Sequence, residues 1–502
     1  MPLLSVLLLL PAIVALVISL SPANLARTLA VLGASVTFLG SLGLLLFPAT
    51  VGATGFRFEE VYPWIPSLGI GYHLGVDGPA ILLIVLTTFL QLFAVLYSYQ
   101  HPPLNSRSYF ALLMALETAM IGSFCALDLV LFYAFFEACL VPTYFLIGIW
   151  GGRRRVPAAT KFFVYTVVGS LLMLAAIIGV NLTTGANSFD FTVLRQAMVG
   201  STMGQATALT LFAGFAVAFA VKAGVFPFHT WLPDTYAEAP TAATVLLSGV
   251  LAKLGTYGFY RFCIGLFPDA AHTAAPIMVT LGVVSIIYGA LIAAVQNDVK
   301  RVFAYSSISH IGFITLGLFA FTPSALQGAF LQMINHGISS GGLFLIAGMI
   351  GVRQGTTSIR QLGGLWEQMP LLGRLFLIVT LSAIALPLTN GFVGEFLILI
   401  GAFQTYPWAT AVATTGVIWS AVYMLYLFQR VMYGPVERPA VRRMRDITGV
   451  EPMILGVFVL LIFVLGVFPT LATRILDPAV ARTLQGGTTP VALRAASFGQ
   501  IK

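Results

Sequence analysis

The chain has 502 residues, of which 59% are hydrophobic and only 8% are charged. Soluble globular domains carry about 25% charged residues, so this chain has too few polar groups to cover a water-facing surface. Its mean hydropathy of +0.97 indicates that the lipid bilayer is its solvent. The net charge of +8 does not indicate nucleic-acid binding, because the basic residues lie scattered in short loops between apolar runs.

The motifs of redox and nucleotide chemistry are missing from the sequence. The three cysteines have neither metal-ligand nor redox spacing, and there is no CxxC, no GxGxxG opening a helix after a strand and no GxxxxGKS/T. We therefore expect no metal and no cofactor in this chain. If the protein moves ions uphill, the energy must come from a partner or from an ion gradient.

Runs of about 20 apolar residues, the length needed to cross the hydrocarbon core, recur along the whole chain. They predict an all-α membrane protein with about fourteen transmembrane helices in a single polytopic domain, residues 1–502. The first run has no basic residue before it and no small-residue cleavage pattern after it, so we expect it to be retained. The predicted spans are 2–20, 26–47, 77–98, 108–126, 128–150, 158–183, 207–230, 240–262, 275–295, 299–319, 324–351, 370–405, 407–433 and 450–473.

Two of these spans are predicted to be discontinuous. The seventh contains Pro227, and the twelfth contains Pro387 followed by two glycines; proline removes a backbone donor and clashes with the preceding turn. Each broken span is the fourth in a set of five, counted from span 4 and from span 9. This order predicts two inverted five-helix repeats, residues 108–262 and 275–433, a plan in which ions bind at broken helices near the midplane.

The distribution of basic residues predicts the orientation of the chain. The loops after odd-numbered spans hold 16 of the 25 Lys and Arg residues, and the opposite side, including the C-terminal tail, holds 7. The positive-inside rule therefore puts the odd loops in the cytoplasm and both termini outside.

Several ionisable residues lie inside the apolar runs. Each charged side chain at such a depth costs roughly 2.5–3.5 kcal/mol on insertion scales, so these groups must pair, become neutral or face water-filled cavities. The charged ones are Glu117, Glu137, Lys222, Lys253 and Glu395, and the histidines are His310 and His336.

Glu137 and Lys222 are predicted to exchange a proton. Glu137 has aromatic or aliphatic neighbours on every face of its helix, and Lys222 directly precedes the break in span 7. Burial disfavours both charges and their mutual attraction favours them, so a third charge can shift the balance. The alternative is a static buried ion pair that sets helix register.

A proton relay is also the favoured interpretation of Lys253, which is too deep in span 8 to snorkel. His310 and His336 lie among small polar residues and titrate near neutral pH, although a neutral histidine that only bonds helix to helix remains an alternative. The polar neighbours that could line a wet path are Ser306, Ser307, Ser309, Asn335, Ser339 and Ser340.

Glu395 follows the break in span 12 and suits a site of proton uptake or release. Glu117 is open between a functional and a structural role. The stretch HTWLPDTYAEAPTAATV, which joins spans 7 and 8 on the cytoplasmic side, could line a proton funnel or cap helix ends.

At these residues the sequence resembles a known family. KAGVFPFHTWLPDTYAEAPTAATVLLSGVLAKLGTYGFYR is similar to the core signature of the antiporter-like subunits of respiratory complex I and of Mrp-type cation/proton antiporters. NDVKRVFAYSSISHIGF and QMINHG also match. LVLFYAFFEACLVPTYFLIGIWGG and TNGFVGEF resemble the M branch, called subunit 4 in mitochondria, which has glutamate where related subunits have lysine.

The resemblance implies a proton-translocating subunit of an NADH (or ferredoxin):quinone oxidoreductase that performs no redox chemistry itself. It implies relay roles for Glu137, Lys222, Lys253, His310, His336 and Glu395. NAD, flavin, iron–sulfur clusters and quinone would be bound by partner subunits. The partners would be neighbouring antiporter-like subunits and lipid, in a bacterial inner membrane or, for a cyanobacterial variant, a thylakoid.

Other classes stay open at this point. An Mrp-type secondary antiporter is disfavoured by Glu395, and a membrane-bound hydrogenase subunit is a further candidate. A non-transporting scaffold explains the buried charges poorly. We expect the transported ion to be the proton, because a sodium site needs several oxygen ligands close together and no such cluster surrounds Lys222 or Lys253.

Overall fold

The computed structural model of the chain describes residues 2–47, 52, 54–199, 203–436 and 439–485. Within these residues the predicted all-α membrane fold is confirmed, because thirteen helices are long and apolar enough to cross a membrane and two shorter apolar helices form the remaining span. Spans 1 to 14 are Leu3–Leu20, Ala23–Leu46, Gly78–Gln100, Ser106–Cys125, Leu129–Trp150, Arg155–Thr184, Gln205–Ala223, Thr241–Ile264, Pro268–Ala294, Val299–Phe319, Pro323–Gln354, Pro370–Ala383 with Asn390–Phe403, Pro407–Met432 and Val450–Val467.

Apart from span 7, which ends at its break, the span edges differ most from the prediction in spans 9 and 14. Span 9 begins at Pro268 and not at residue 275, because proline is favoured in the first turn of a helix. Span 14 ends at Val467 and not at residue 473, because Pro469 disfavours a helical conformation for the residue before it. A further amphipathic helix, Thr470–Gln485, then occupies the predicted tail.

The long loop before span 3 contains an antiparallel hairpin that the apolar runs do not predict. Strand β1, Arg57–Ile65, pairs with β2, Ile70–Val76, through a short turn that ends at Gly69 with φ +70°. Asp128 accepts hydrogen bonds from the backbone N–H groups of Gly71, Val130 and Leu131. One carboxylate therefore caps span 5 and anchors the hairpin to it.

Both predicted helix breaks are confirmed. Span 7 ends at Ala223, Gly224 takes φ +80°, and the chain resumes as a short helix at Trp231–Glu238. Span 12 is interrupted between Ala383 and Asn390, where Ala385 and Leu388 have positive φ. That residues 108–262 and 275–433 are related by inversion stays a prediction.

Span 8 is irregular although it contains no proline. Two π-helical segments, Leu247–Leu251 and Phe259–Ile264, flank the α-helical turns that carry Lys253. π-Helical turns are rare and occur often at functional sites. Proline and glycine patterns cannot reveal this kind of irregularity, which explains why the sequence predicts a plain helix here.

Spans 8, 10 and 11 form the centre of the molecule. They are 94–100% buried, whereas spans 1 and 14 are 28–33% buried and present most of their surface outward. Glycines allow the central backbones to touch: a Cβ at Gly255 would lie 2.5 Å from the carbonyl oxygen of Phe219 in span 7. Ionisable groups of spans 8, 10 and 11 are thus shielded from lipid by the surrounding helices.

Candidate functional site: a buried polar axis

Lys253 and His336 are in direct contact at the centre of the molecule. The Lys253 Nζ lies 2.5 Å from the Nδ1 of His336 in span 11 and also donates to the backbone oxygen of Ser248. Both side chains are buried, and no described carboxylate forms a salt bridge with Lys253. A proton shared between an amine and an imidazole can move with little rearrangement, because the two nitrogens are already at hydrogen-bond distance.

His310 and Glu395 form a second buried contact. The Nδ1 of His310 in span 10 lies 2.6 Å from the Oε1 of Glu395 in the second half of span 12. Gln332 donates to the same oxygen at 2.9 Å. Glu395 is therefore held by groups from two neighbouring spans, His310 of span 10 and Gln332 of span 11.

The two contacts face each other across a small gap. The rings of His310 and His336 have centroids 5.2 Å apart and are tilted by 53°. Both line a cavity of about 10 Å³, which has room for about one water molecule. We call Lys253, His336, His310 and Glu395 the polar axis; it crosses four spans with one short interruption.

The serines and asparagine proposed to line a wet path are mostly in place. Ser306, Ser307, Asn335, Ser339 and Ser340 all line this cavity. Ser309 does not; it donates to the backbone oxygen of Ile286 in span 9 at 3.0 Å and joins helix to helix instead.

Asn390 is a residue of this site that the sequence did not single out. It begins the second half of span 12, donates to the backbone oxygen of Asn335 at 3.3 Å, and accepts from Ser382 at 2.6 Å. Asn335 donates in return to the backbone oxygen of Asn390 at 2.7 Å. This reciprocal pair joins span 11 to the start of the second half of span 12, the helix that carries Glu395. The Asn in the TNGFVGEF motif was the available signal.

Glu137 and Lys222 do not form a close ion pair. Lys222 Nζ lies 3.4 Å from the backbone oxygen of Phe136 and 4.4 Å from the centroid of its ring, and no salt bridge joins it to Glu137 among the described residues. Glu137 is only partly buried, and its Oε1 has no hydrogen-bond partner in the described structure. The two groups are near enough to interact by charge, but without a direct bond.

The stretch between spans 7 and 8 is held by basic residues of spans 6 and 10. Asp234 lies 2.8 Å from Lys161 and 3.0 Å from Arg301. His229, the first residue of this stretch, is buried between Phe226 and Tyr288, and its Nδ1 has no hydrogen-bond partner in the described structure. Ion pairs with neighbouring spans thus hold this stretch in place. It also contains one imidazole nitrogen, that of His229, without a hydrogen-bond partner among the described residues.

Glu117 lies apart from these groups. It is completely buried in span 4, and neither carboxylate oxygen has a hydrogen-bond partner among the described residues. A charged carboxylate would be very costly there, so this environment favours the neutral acid.

Comparison with known proteins agrees with this architecture. Residues 126–420 match the family model described as NADH:quinone oxidoreductase/Mrp antiporter, transmembrane. A curated protein of Rhodobacter capsulatus, named NADH-quinone oxidoreductase subunit M, is 42% identical over 92% of this chain and 90% of its own length. One of the same name from Mycobacterium tuberculosis is 39% identical over 96% of this chain and 94% of its own length. The chain belongs to the NADH:quinone oxidoreductase/Mrp antiporter family.

Solved structures agree with the fold. A chain in the structure of respiratory complex I from Thermus thermophilus with bound NADH superimposes with a TM-score of 0.88 and 33% identity, covering 97% of this chain and 100% of that chain. A chain in the Mrp complex from Dietzia sp. superimposes with a TM-score of 0.82 at 23% identity, over 97% of this chain and 52% of that one. The second likeness concerns the fold alone.

Proposed function

We propose that the chain is the M-type, proton-translocating membrane subunit of a bacterial NADH–quinone oxidoreductase. The observation that carries this proposal is the polar axis, in which Lys253, His336, His310 and Glu395 follow one another across four buried spans. The names of the two relatives described above support the same assignment, since each alignment spans nine-tenths or more of both chains.

In this mechanism a proton moves along the axis by short transfers. Lys253 gives its proton to His336, the gap to His310 is crossed through the small cavity, and His310 exchanges with Glu395. Each group is buried, so the balance between its charged and neutral forms responds strongly to a nearby charge. Moving one charge against 100 mV costs about 2.3 kcal/mol. A change of two pKa units supplies about 2.7 kcal/mol, so modest changes in the local field are sufficient.

Glu137 and Lys222 act as the control element of the axis. Because Lys222 is not bonded to Glu137, its charge is held mainly by a carbonyl oxygen and an aromatic face. A change in the charge of Glu137 therefore alters the proton affinity of Lys222, which directly precedes Ala223, the residue of span 7 that packs against Gly255 of span 8.

The energy source lies in other subunits. NAD, flavin, iron–sulfur clusters and quinone bind in partner chains, with NADH or ferredoxin as the electron donor, and this chain performs no redox reaction alone. Its partners are the neighbouring membrane subunits of the complex, and its location is the bacterial inner membrane. Electron transfer in the partner subunits would act on this chain by changing a charge or a contact near Glu137.

The experiment is reconstitution of the whole complex in liposomes. NADH and quinone are supplied with and without sodium, and proton uptake and labelled sodium uptake are followed together. We expect proton uptake in proportion to electron transfer and no dependence on sodium. Sodium uptake in strict proportion to electron transfer that persists with a protonophore present would overturn the proton assignment. Sodium–proton exchange without NADH would instead support an Mrp-type antiporter.

A further inference from the structure

A large cavity lies at the end of span 8, and its lining residues are different from those of the polar axis. Its volume is about 520 Å³, and it is enclosed by the end of span 8, the start of span 9, the helix Phe191–Val199 and the helix Thr470–Gln485. None of its lining residues belongs to the polar axis or lines the small cavity between the histidines. The orientation predicted from the basic residues puts this side of the molecule outside the cytoplasm.

Three guanidinium groups line this cavity, those of Arg195, Arg261 and Arg482. Arg261 is neutralised by Asp77, whose carboxylate lies 2.7 Å away and also accepts from Tyr260. Arg195 and Arg482 form no salt bridge among the described residues. With Asp269 exposed at the rim, three positive charges face two negative ones, so the cavity carries one positive charge in excess.

The arginines also repel one another. Burial lowers the pKa of Arg195, and the charges of Arg261 and Arg482 lower it further. Arg482 donates to the backbone oxygens of Gly55 and Pro478, so it is held in place without a counter-charge from the described residues. A single negative charge between Arg195 and Arg482 would remove this repulsion.

The remaining wall of the cavity is apolar. Its partly exposed residues are Met198, Met203 and Ala208, and the buried side chains of Phe191, Ile264, Leu266 and Phe267 lie behind them. Ala208 belongs to the first turns of span 7, where the preceding residues Gln205 and Ala206 are exposed, so the cavity lies at the membrane boundary. A hydrophobic wall next to a basic cluster at this level matches the two ends of a phospholipid.

We propose that this cavity binds an anionic phospholipid, with the phosphate between Arg195 and Arg482 and an acyl chain along the apolar wall. A phosphodiester carries one negative charge, which equals the excess positive charge of the cavity. Arginine binds phosphate oxygens in a bidentate fork, which favours phosphate over other anions. A free phosphate ion would leave the partly exposed Met198, Met203 and Ala208 uncovered, which argues for the lipid. The proposal is independent of whether the chain moves protons.

The test uses the assembled complex in native membranes. The probe is phosphatidylglycerol with a photoactivatable group on one acyl chain, and phosphatidylcholine with the same group is the neutral comparison. Labelled peptides are mapped by mass spectrometry in the unmodified chain, in Arg195→Gln and in Arg482→Gln. Arg474→Gln is the matched control, because it removes an exposed arginine from the same helix as Arg482.

We expect phosphatidylglycerol to label the segments around Met198 and Phe267 more strongly than phosphatidylcholine does. Each cavity variant should reduce this labelling about fivefold, equivalent to about 1 kcal/mol, and Arg474→Gln should leave it unchanged. If a variant does not assemble, competition in the unmodified complex decides: unlabelled phosphatidylglycerol should displace the probe, and unlabelled phosphatidylcholine should not.

Three results would overturn the proposal. Equal labelling by the two probes would mean that the headgroup is not recognised. Unchanged labelling in both cavity variants would mean that the arginines do not bind it. Displacement of the probe by inorganic phosphate alone would assign the cavity to a free anion.

Discussion

The two groups of buried charges in this protein are built differently. In the polar axis, Lys253 touches His336 and His310 touches Glu395, with contacts of 2.5 and 2.6 Å. Glu137 and Lys222 have no such bond, and Lys222 rests on the carbonyl and ring of Phe136. The polar axis therefore consists of side chains in hydrogen-bond contact, which is the arrangement that our proposal of proton transfer requires, whereas Glu137 and Lys222 can influence each other only by charge.

The proton affinities of two opposite buried charges respond more strongly to a third charge when the two groups are not in direct contact. A closed buried pair is satisfied and responds weakly to a third charge, and breaking it leaves a costly unpaired ion. An open pair keeps both proton affinities sensitive to their surroundings.

The largest effect is expected at Lys253. Lys253→Arg keeps the positive charge but cannot release a proton, because guanidinium stays protonated at all accessible pH values. Proton translocation in inverted vesicles should fall on the order of 10²-fold, the contribution typical of a positioned proton-transfer group. Arg474→Gln, at an exposed position, serves as the control. Normal pumping by an assembled Lys253→Arg complex would show that the charge alone matters there.

Removal of the carboxylate from the open pair should have the next largest effect. In Glu137→Ala, Lys222 loses the charge that tunes its proton affinity, and pumping coupled to electron transfer should fall roughly tenfold, the effect of about 1.4 kcal/mol on a rate. Assembly should survive, because no salt bridge joins the two residues. Proton uptake and NADH oxidation are measured in the same vesicles. An assembled variant that pumps and turns over normally would remove Glu137 from the mechanism.

At the far end of the axis, Glu395→Gln keeps the shape of the side chain and its contact with Gln332 but cannot release a proton. We expect fewer protons per electron, by roughly twofold to tenfold, with normal assembly; a factor of ten is again about 1.4 kcal/mol. Glu395→Asp should restore part of the loss. An unchanged proton-to-electron ratio in the Gln variant would mark Glu395 as structural.

The smallest effect concerns stability and compares the two regions directly. A double-mutant cycle on His310 and Glu395 should give a coupling energy of about 0.5–3 kcal/mol, as for residues in contact. The same cycle on Glu137 and Lys222 should give less, since they are not bonded. The measurement is thermal unfolding of the assembled complex by tryptophan fluorescence. A larger coupling for Glu137 and Lys222 would contradict the open-pair interpretation.

The sequence predicts the membrane fold, the order of the spans and both proline-linked breaks, because apolar length and proline chemistry act locally. It also identifies the members of the polar axis, since charged residues in apolar runs are conspicuous. It cannot predict which of them touch: the Glu137 and Lys222 pairing suggested by opposite charge is open, and the contact of Lys253 with His336 depends on packing between spans 8 and 11. The hairpin before span 3, Asn390 and the cavity near Arg195 depend on long-range contacts in the same way.

The π-helical segment Leu247–Leu251 makes the position of Lys253 a matter of chain length as well as of chemistry. Such a segment accommodates one more residue than a regular helical turn and departs from the i→i−4 hydrogen-bond pattern of the α-helix. Ser248 lies in this segment, and its backbone oxygen accepts a hydrogen bond from Lys253. Deleting Val250 would let the segment close into ordinary α geometry and would move that oxygen, although every residue of the polar axis was still present.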